Sequence, residues 1–214
     1  MMHLLSAGRA SKVYALSDNR VLRRCSWDLE PEARLMAHLR EQGYPVPEVF
    51  RIDGTEMTME RLHGPTLAES LLSGRVAPVA AAAIMLDLLE RLHRLPAPDW
   101  LPGESRGLDL NGRTILHLDL HPENIIETPA GPTVIDWTNA AAGDPAVDRA
   151  VSWVIIAELD PATLPVDPAP LRDALARTVT PTALDTALRF READTNISEA
   201  EHARARTLAA LLGP

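Results

Sequence analysis

Two short β-type segments, Ile125 to Glu127 and Thr133 to Ile135, flank the turn-rich run Thr128-Pro129-Ala130-Gly131-Pro132. Segments of this kind around a Pro/Gly tip predict a hairpin. If the two pair, Asn124 and Asp136 meet at the open end, side by side. An amide oxygen beside a carboxylate suits magnesium, which takes hard oxygen ligands and fills its remaining positions with water or phosphate. Asp119 stands five residues before Asn124, on a loop whose Pro122 prevents simple helical continuation. That loop can hold a second carboxylate near the ion without making it a ligand. Such a carboxylate can take the proton of a hydroxyl attacking phosphorus.

The rest of the chain divides by character. Up to about residue 60 it is strand-rich with one helix. Val13–Leu16 and Val21–Arg24 form a hairpin across Ser17-Asp18-Asn19-Arg20, and Val49–Ile52 and Thr55–Glu60 form another across Asp53-Gly54. Between them Pro31 to Glu41 reads as a helix, with Pro31 in its first turn, Leu35, Met36 and Leu39 as its apolar stripe and Gly43 beyond its end. From Leu62 the pattern turns helical. Ile84, Leu88, Leu92 and Leu95 predict one buried face of a long helix that ends before Pro96. Segments 145–160, 169–178, 181–192 and 198–212 are also predicted helical. The expected division is therefore 1–61 and 62–214.

The stretch His117-Leu118-Asp119-Leu120-His121-Pro122-Glu123-Asn124-Ile125 resembles the HGDLHPGN segment of aminoglycoside phosphotransferases and of related choline, homoserine and fructosamine kinases. Ile135-Asp136-Trp137 is similar to that family's metal-binding segment, and Gly143-Asp144-Pro145-Ala146-Val147-Asp148 to the start of the helix that follows it. Upstream, Glu32 to Leu39 with Tyr44-Pro45-Val46-Pro47, Met57 to Gly64, and Leu89-Glu90-Arg91-Leu92-His93 extend the likeness over about residues 6 to 150.

The resemblance implies an α+β, protein-kinase-like two-lobed fold: a small antiparallel-sheet N-lobe with one helix and a mainly helical C-lobe. It implies a phosphotransferase that uses ATP and Mg2+ on a hydroxyl of a small molecule. Carried over position by position, Asp119 is the catalytic carboxylate and Asn124 and Asp136 are the metal ligands. Arg23 is the phosphate-facing cation, and Glu32 is its ion-pair partner. Ser6 to Val13, including Ser11 and Lys12, cover the phosphates, and Glu60 to Leu62 hold adenine through backbone groups. His117 and Asp148 support the loop, Asp148 by fixing it through hydrogen bonds. The chain departs from the family pattern in having Arg at the cation position, Gly8 alone in the phosphate loop, and Leu118 where glycine is usual. A one-residue slip on that strand would present Arg24 instead of Arg23.

Net charge is −9, which argues against a nucleic-acid partner and fits, weakly, an amine-bearing acceptor. No apolar run approaches the roughly 20 residues of a membrane span, and the start lacks a signal-peptide pattern. Cys25 stands alone, so a cytoplasmic protein without disulfides or membrane is expected. Two other functions remain open. One is a nucleotide-binding pseudokinase or scaffold without transfer activity. The other is a metal-dependent hydrolase built on His117, Asp119 and His121.

Overall fold

The computed structural model describes residues 3–7 and 11–212. In chain order its strands and α-helices are β1 (His3–Ala7), β2 (Ser11–Ala15), β3 (Arg20–Cys25), α1 (Glu30–Glu41), β4 (Val49–Asp53), β5 (Glu56–Glu60), α2 (Leu67–Leu72), α3 (Pro78–Leu92), β6 (Glu104–Ser105), β7 (Leu108–Asp109), β8 (Thr114–Leu116), β9 (Ile125–Thr128), β10 (Gly131–Val134), β11 (Ala141–Gly143), α4 (Pro145–Glu158), α5 (Ala169–Ala176), α6 (Pro181–Glu192) and α7 (Glu199–Ala210). They gather into two compact units, Met1–Pro65 with Ile126–Thr138, and Thr66–Ile125 with Asn139–Pro214.

The expected division at 61/62 gives 126–138 to the second unit, whereas this segment belongs to the first. A two-stranded hairpin is marginal alone and needs a partner surface. Here Glu127 N donates to Pro65 O and Val134 N to Pro45 O, each at 2.9 Å. Trp137, fully buried, meets Tyr44 edge-on with ring centroids 5.6 Å apart. The approach at Pro65 needs glycine next door: a Cβ on Gly64 would sit 2.0 Å from the Glu127 carbonyl oxygen.

The first unit's sheet has the antiparallel order β1-β2-β3-β5-β4. Both expected hairpins are present, with Gly54 at φ +58 in the second turn. Helix α1 begins with Glu30, Pro31 and Glu32, so proline occupies its first turn and two acids face the dipole's positive end. Leu35, Met36 and Leu39 are buried as the spacing predicts, and α1 packs on β4.

In the second unit α4 is the hub. Its apolar run Val151 to Ala157 is interrupted only by Ser152, and it packs against α5, α6 and α7. Helix α6 matches its predicted span. Helix α3 differs: it ends at Leu92, with Leu95 beyond it, and its buried face is Ala81, Ala82, Met85, Leu88, Leu89 and Leu92. Leu88 and Leu92 are buried as expected, whereas Met85 takes the place expected of Ile84. His93 caps the helix, and its ring bonds Asp148. Helix α2 is not anticipated above, although Thr66-Leu67-Ala68-Glu69 carries a complete capping box. Arg106 ties the short β6–β7 hairpin to α6: its guanidinium lies 4.2 Å from the Phe190 ring centroid and donates to Asp194 Oδ2 at 3.0 Å. Among the described residues no helix is long and apolar enough to cross a membrane.

Candidate active site

In the first unit the strand register settles which arginine turns inward. Arg23 lies opposite Val13 and Met57, while Arg24 lies opposite Lys12 and Glu56. Directly paired residues share a face and neighbours along a strand alternate. Arg24 accordingly pairs with Glu56 at the surface, whereas Arg23 is buried. Arg23 Nη1 donates to Glu32 Oε1, and Nη2 donates to Asp136 Oδ1 and Thr138 Oγ1, each at 2.9 Å. Glu32 Oε1 also takes the Trp137 N–H at 3.1 Å. Thr138 Oγ1 lies 3.0 Å from Glu32 Oε2 and 2.8 Å from Asp136 Oδ1, one of which accepts its proton.

One planar fork thus spans two carboxylates, which the single ammonium of lysine cannot do with the same geometry. That accounts for arginine at this position. Burial alone would lower the Arg23 pKa, but Glu32 and Asp136 outweigh it and hold it above the ordinary arginine value. Burial pushes the Glu32 carboxyl up against the opposing pull of Arg23. Strand β10 ends at Val134, and Asp136 takes φ +63, a left-handed conformation that aspartate tolerates better than most residues. Its side chain is 40% exposed.

The other residues expected at the nucleotide divide. Ser11 pairs with Cys25 and so shares Arg23's face. Lys12 is exposed on the opposite face, across from Arg24, so within this sheet it does not join Arg23. Glu60 closes β5, and its Oε2 accepts from Glu48 N at 3.1 Å. Leu62 follows it, half-buried. Gly8, and with it part of the expected phosphate loop, lies outside the described residues.

In the second unit the loop from His117 to Asn124 is held from below by Asp148. This fully buried carboxylate accepts from His117 N at 2.9 Å, Leu118 N at 2.7 Å and His93 Nε2 at 2.9 Å. Burial by itself would raise the Asp148 pKa; the hydrogen bonds from His93 and the His117 N–H outweigh it and hold the group below the usual carboxylate range. His117 Nδ1 accepts from Asp119 N at 3.2 Å, so its proton sits on Nε2. Pro122, Glu123 and Asn124 form one short 3-10 turn. Both amide hydrogens of Asn124 are used, on the Asp119 carbonyl at 2.9 Å and on His121 Nε2 at 3.1 Å. That fixes which end of the amide is oxygen and leaves Oδ1 as a hard donor. Asn124 Oδ1 and the Asp136 carboxylate have the donor chemistry magnesium takes. Among the described residues no three His, Cys, Asp or Glu side chains are placed to hold a metal, so the set His117, Asp119 and His121 is not assembled as one.

Leu118 adopts φ +59 with its side chain wholly buried, which explains why glycine is usual there. The burial outweighs the strain. Leu118→Gly should lose about 2 kcal/mol, and Leu118→Ala about 1 kcal/mol more, because alanine keeps the strained Cβ and loses the packing. Urea unfolding checks this inverted order. An alanine variant more stable than the glycine variant would contradict it.

Several neighbours of these residues escaped the sequence reading. Thr138 sits two positions after Asp136, and His93, quoted above within a motif, has a bond to Asp148 that the motif did not announce. Arg191 of α6 lies with Nη1 3.4 Å from Asp119 Oδ1 and pairs with the buried Glu158. Nothing in local sequence pattern marks Arg191 or Glu158.

The family model described as "Phosphotransferase enzyme family" matches residues 2–112 and 108–185. A thiamine kinase of Salmonella paratyphi B (strain ATCC BAA-1250 / SPB7) is 46% identical over 52 residues, 24% of this chain; the match spans 18% of that relative's length. The streptomycin–ATP–APH(2")-IIa ternary complex superposes with TM-score 0.60 at 13% identity, covering 99% of this chain and 91% of that one. Choline kinase from Cryptosporidium parvum Iowa II gives TM-score 0.59 at 10% identity, covering 99% and 87%. These similarities show a kinase-like fold. With the family match extending over most of its length, the chain belongs to the phosphotransferase enzyme family.

Proposed function

We propose that this chain transfers the γ-phosphate of ATP to a hydroxyl group of a small molecule. The observation that carries the reading is the Asp148-held loop, which joins Asp119 to an Asn124 amide whose two hydrogens are committed and whose oxygen is left to face a cation. In this reading Asp119 accepts the proton of the attacking hydroxyl while the new O–P bond forms and the bond from phosphorus to the ADP oxygen breaks. Asn124 and Asp136 would hold magnesium, which when bound neutralises phosphate charge. Arg23, fixed by Glu32, lends positive charge to the phosphates, with Ser11 on its face of the sheet. Glu60 to Leu62 would meet adenine through the backbone.

The acceptor is proposed to carry an amine. Supporting this are the net charge of −9 and the compounds with cationic nitrogen named for the relatives: thiamine, streptomycin and choline. The test is to incubate the protein with MgATP and each of these three compounds and follow 31P NMR. A new phosphomonoester signal with matching ADP is expected for at least one. ATP left intact with all of them, and with water, would favour a nucleotide-binding scaffold instead.

A further inference from the structure

Glu158 is the last residue of α4 and one of the few charged side chains buried in the second unit. Arg191 grips it with the Nε/Nη2 edge of its guanidinium. Nε lies 3.2 Å from both Oε1 and Oε2, and Nη2 lies 2.6 Å from Oε2. Two contacts from α7 steady Glu158: Arg204 Nε donates to its carbonyl at 2.9 Å, and His202 Nδ1 lies 3.9 Å from Oε1. The grip uses Nε and Nη2, and the remaining Nη1 is the atom that lies 3.4 Å from Asp119 Oδ1. The Arg191 and Glu158 side chains are 11% and 5% exposed, against 22% for Asp119.

A buried ion pair is a poor device for stability alone, since apolar side chains of similar volume often serve as well or better. This pair joins α4 to α6, and a bland reading stops there. It leaves unexplained why the remaining Nη1 faces the Asp119 carboxylate. We propose that Arg191 is a positioning residue for Asp119, with Glu158 as its fixed anchor. A guanidinium locked on a buried carboxylate has little rotamer freedom, so it sets the orientation of the Asp119 carboxylate facing it. Misplacing a reacting group by about 1 Å can slow a reaction about a hundredfold. The kinetic consequence rests on the phosphotransferase reading, whereas the geometric claim does not.

The test uses Glu158→Gln with Arg191→Met, which removes both charges together and strands neither, and Arg191→Lys, which keeps the charge without the fork. Crystal structures of wild type and variants give the Asp119 orientation. Phosphate release from MgATP in water, and transfer to thiamine, give kcat and KM. The double variant is expected to unfold at a temperature close to wild type, and Asp119 to leave its wild-type orientation. Its kcat should fall about tenfold or more, with KM for ATP within about twofold. Arg191→Lys should fall between the two, and it carries the comparison if the double variant does not fold. An unmoved Asp119 in the double variant, or wild-type kcat in either variant, overturns the proposal. A wild-type protein with no turnover on any acceptor would instead overturn the phosphotransferase reading, and the crystallographic comparison would still decide whether Arg191 orients Asp119.

Discussion

Asp148→Asn is expected to destabilise the protein by about 3 kcal/mol or more and to disorganise the loop that carries Asp119. Three donors converge on this one fully buried carboxylate: two consecutive backbone N–H groups, His117 and Leu118, and the His93 ring. Asparagine keeps the shape but turns an NH2 towards one of those donors, so buried hydrogen-bonding groups face each other unmatched.

The same group predicts a pH dependence. Its folded-state pKa lies below the ordinary value of about 3.9. The unfolded chain therefore binds the proton more readily, and Asp148 contributes stability that is fully present above the unfolded value. That contribution is lost as pH falls through the lower folded value. Urea unfolding at a series of pH values from about 3 to about 7 should show a steep acid limb in wild type and a shallower one in the asparagine variant. Parallel curves with equal midpoints would show that Asp148 has no such role.

The second large effect is kinetic. Asp119→Asn should slow phosphoryl transfer by about 10²–10⁴-fold, the range for removing a general base. Nucleotide affinity should be nearly unchanged, because the asparagine is isosteric and the contact to Asn124 comes from the backbone carbonyl of residue 119. The measurement is kcat with the best acceptor alongside ADP affinity. A variant that keeps more than about half of the wild-type kcat would remove Asp119 from the chemistry. A variant that loses nucleotide binding as well would point to a structural role.

The parts of this fold that were legible in the sequence are those written in local spacing. Leu35, Met36 and Leu39 mark α1's buried face; Asp53-Gly54 marks a turn; and the β9–β10 hairpin follows from two β-type runs around Pro129 to Gly131. Asp148 was legible as a support for the loop because it sits in a motif. What failed to show depends on phase or on distance. Arg23 and Arg24 are adjacent and differ only in strand parity, which the pairing with β2 and β5 decides. In α3 the spacing finds Leu88 and Leu92, but it takes Ile84 where Met85 is the buried residue and Leu95, which looks periodic, where the helix has already ended. The hairpin's membership in the first unit rests on backbone bonds to Pro45 and Pro65, which no composition shift announces. Arg191 and Glu158 stand on different helices, and each reads alone as an ordinary charge near a helix end.

Asn124 and Asp136 are proposed to serve a single divalent ion that accompanies the nucleotide. Calorimetric titration of ADP, with and without magnesium, tests it on wild type, Asn124→Ala and Asp136→Asn. Tighter ADP binding with magnesium in wild type, and loss of that gain in both variants, is the predicted result. If either variant keeps the full magnesium-dependent gain, the two residues do not share the ion, and the proposed site is contradicted.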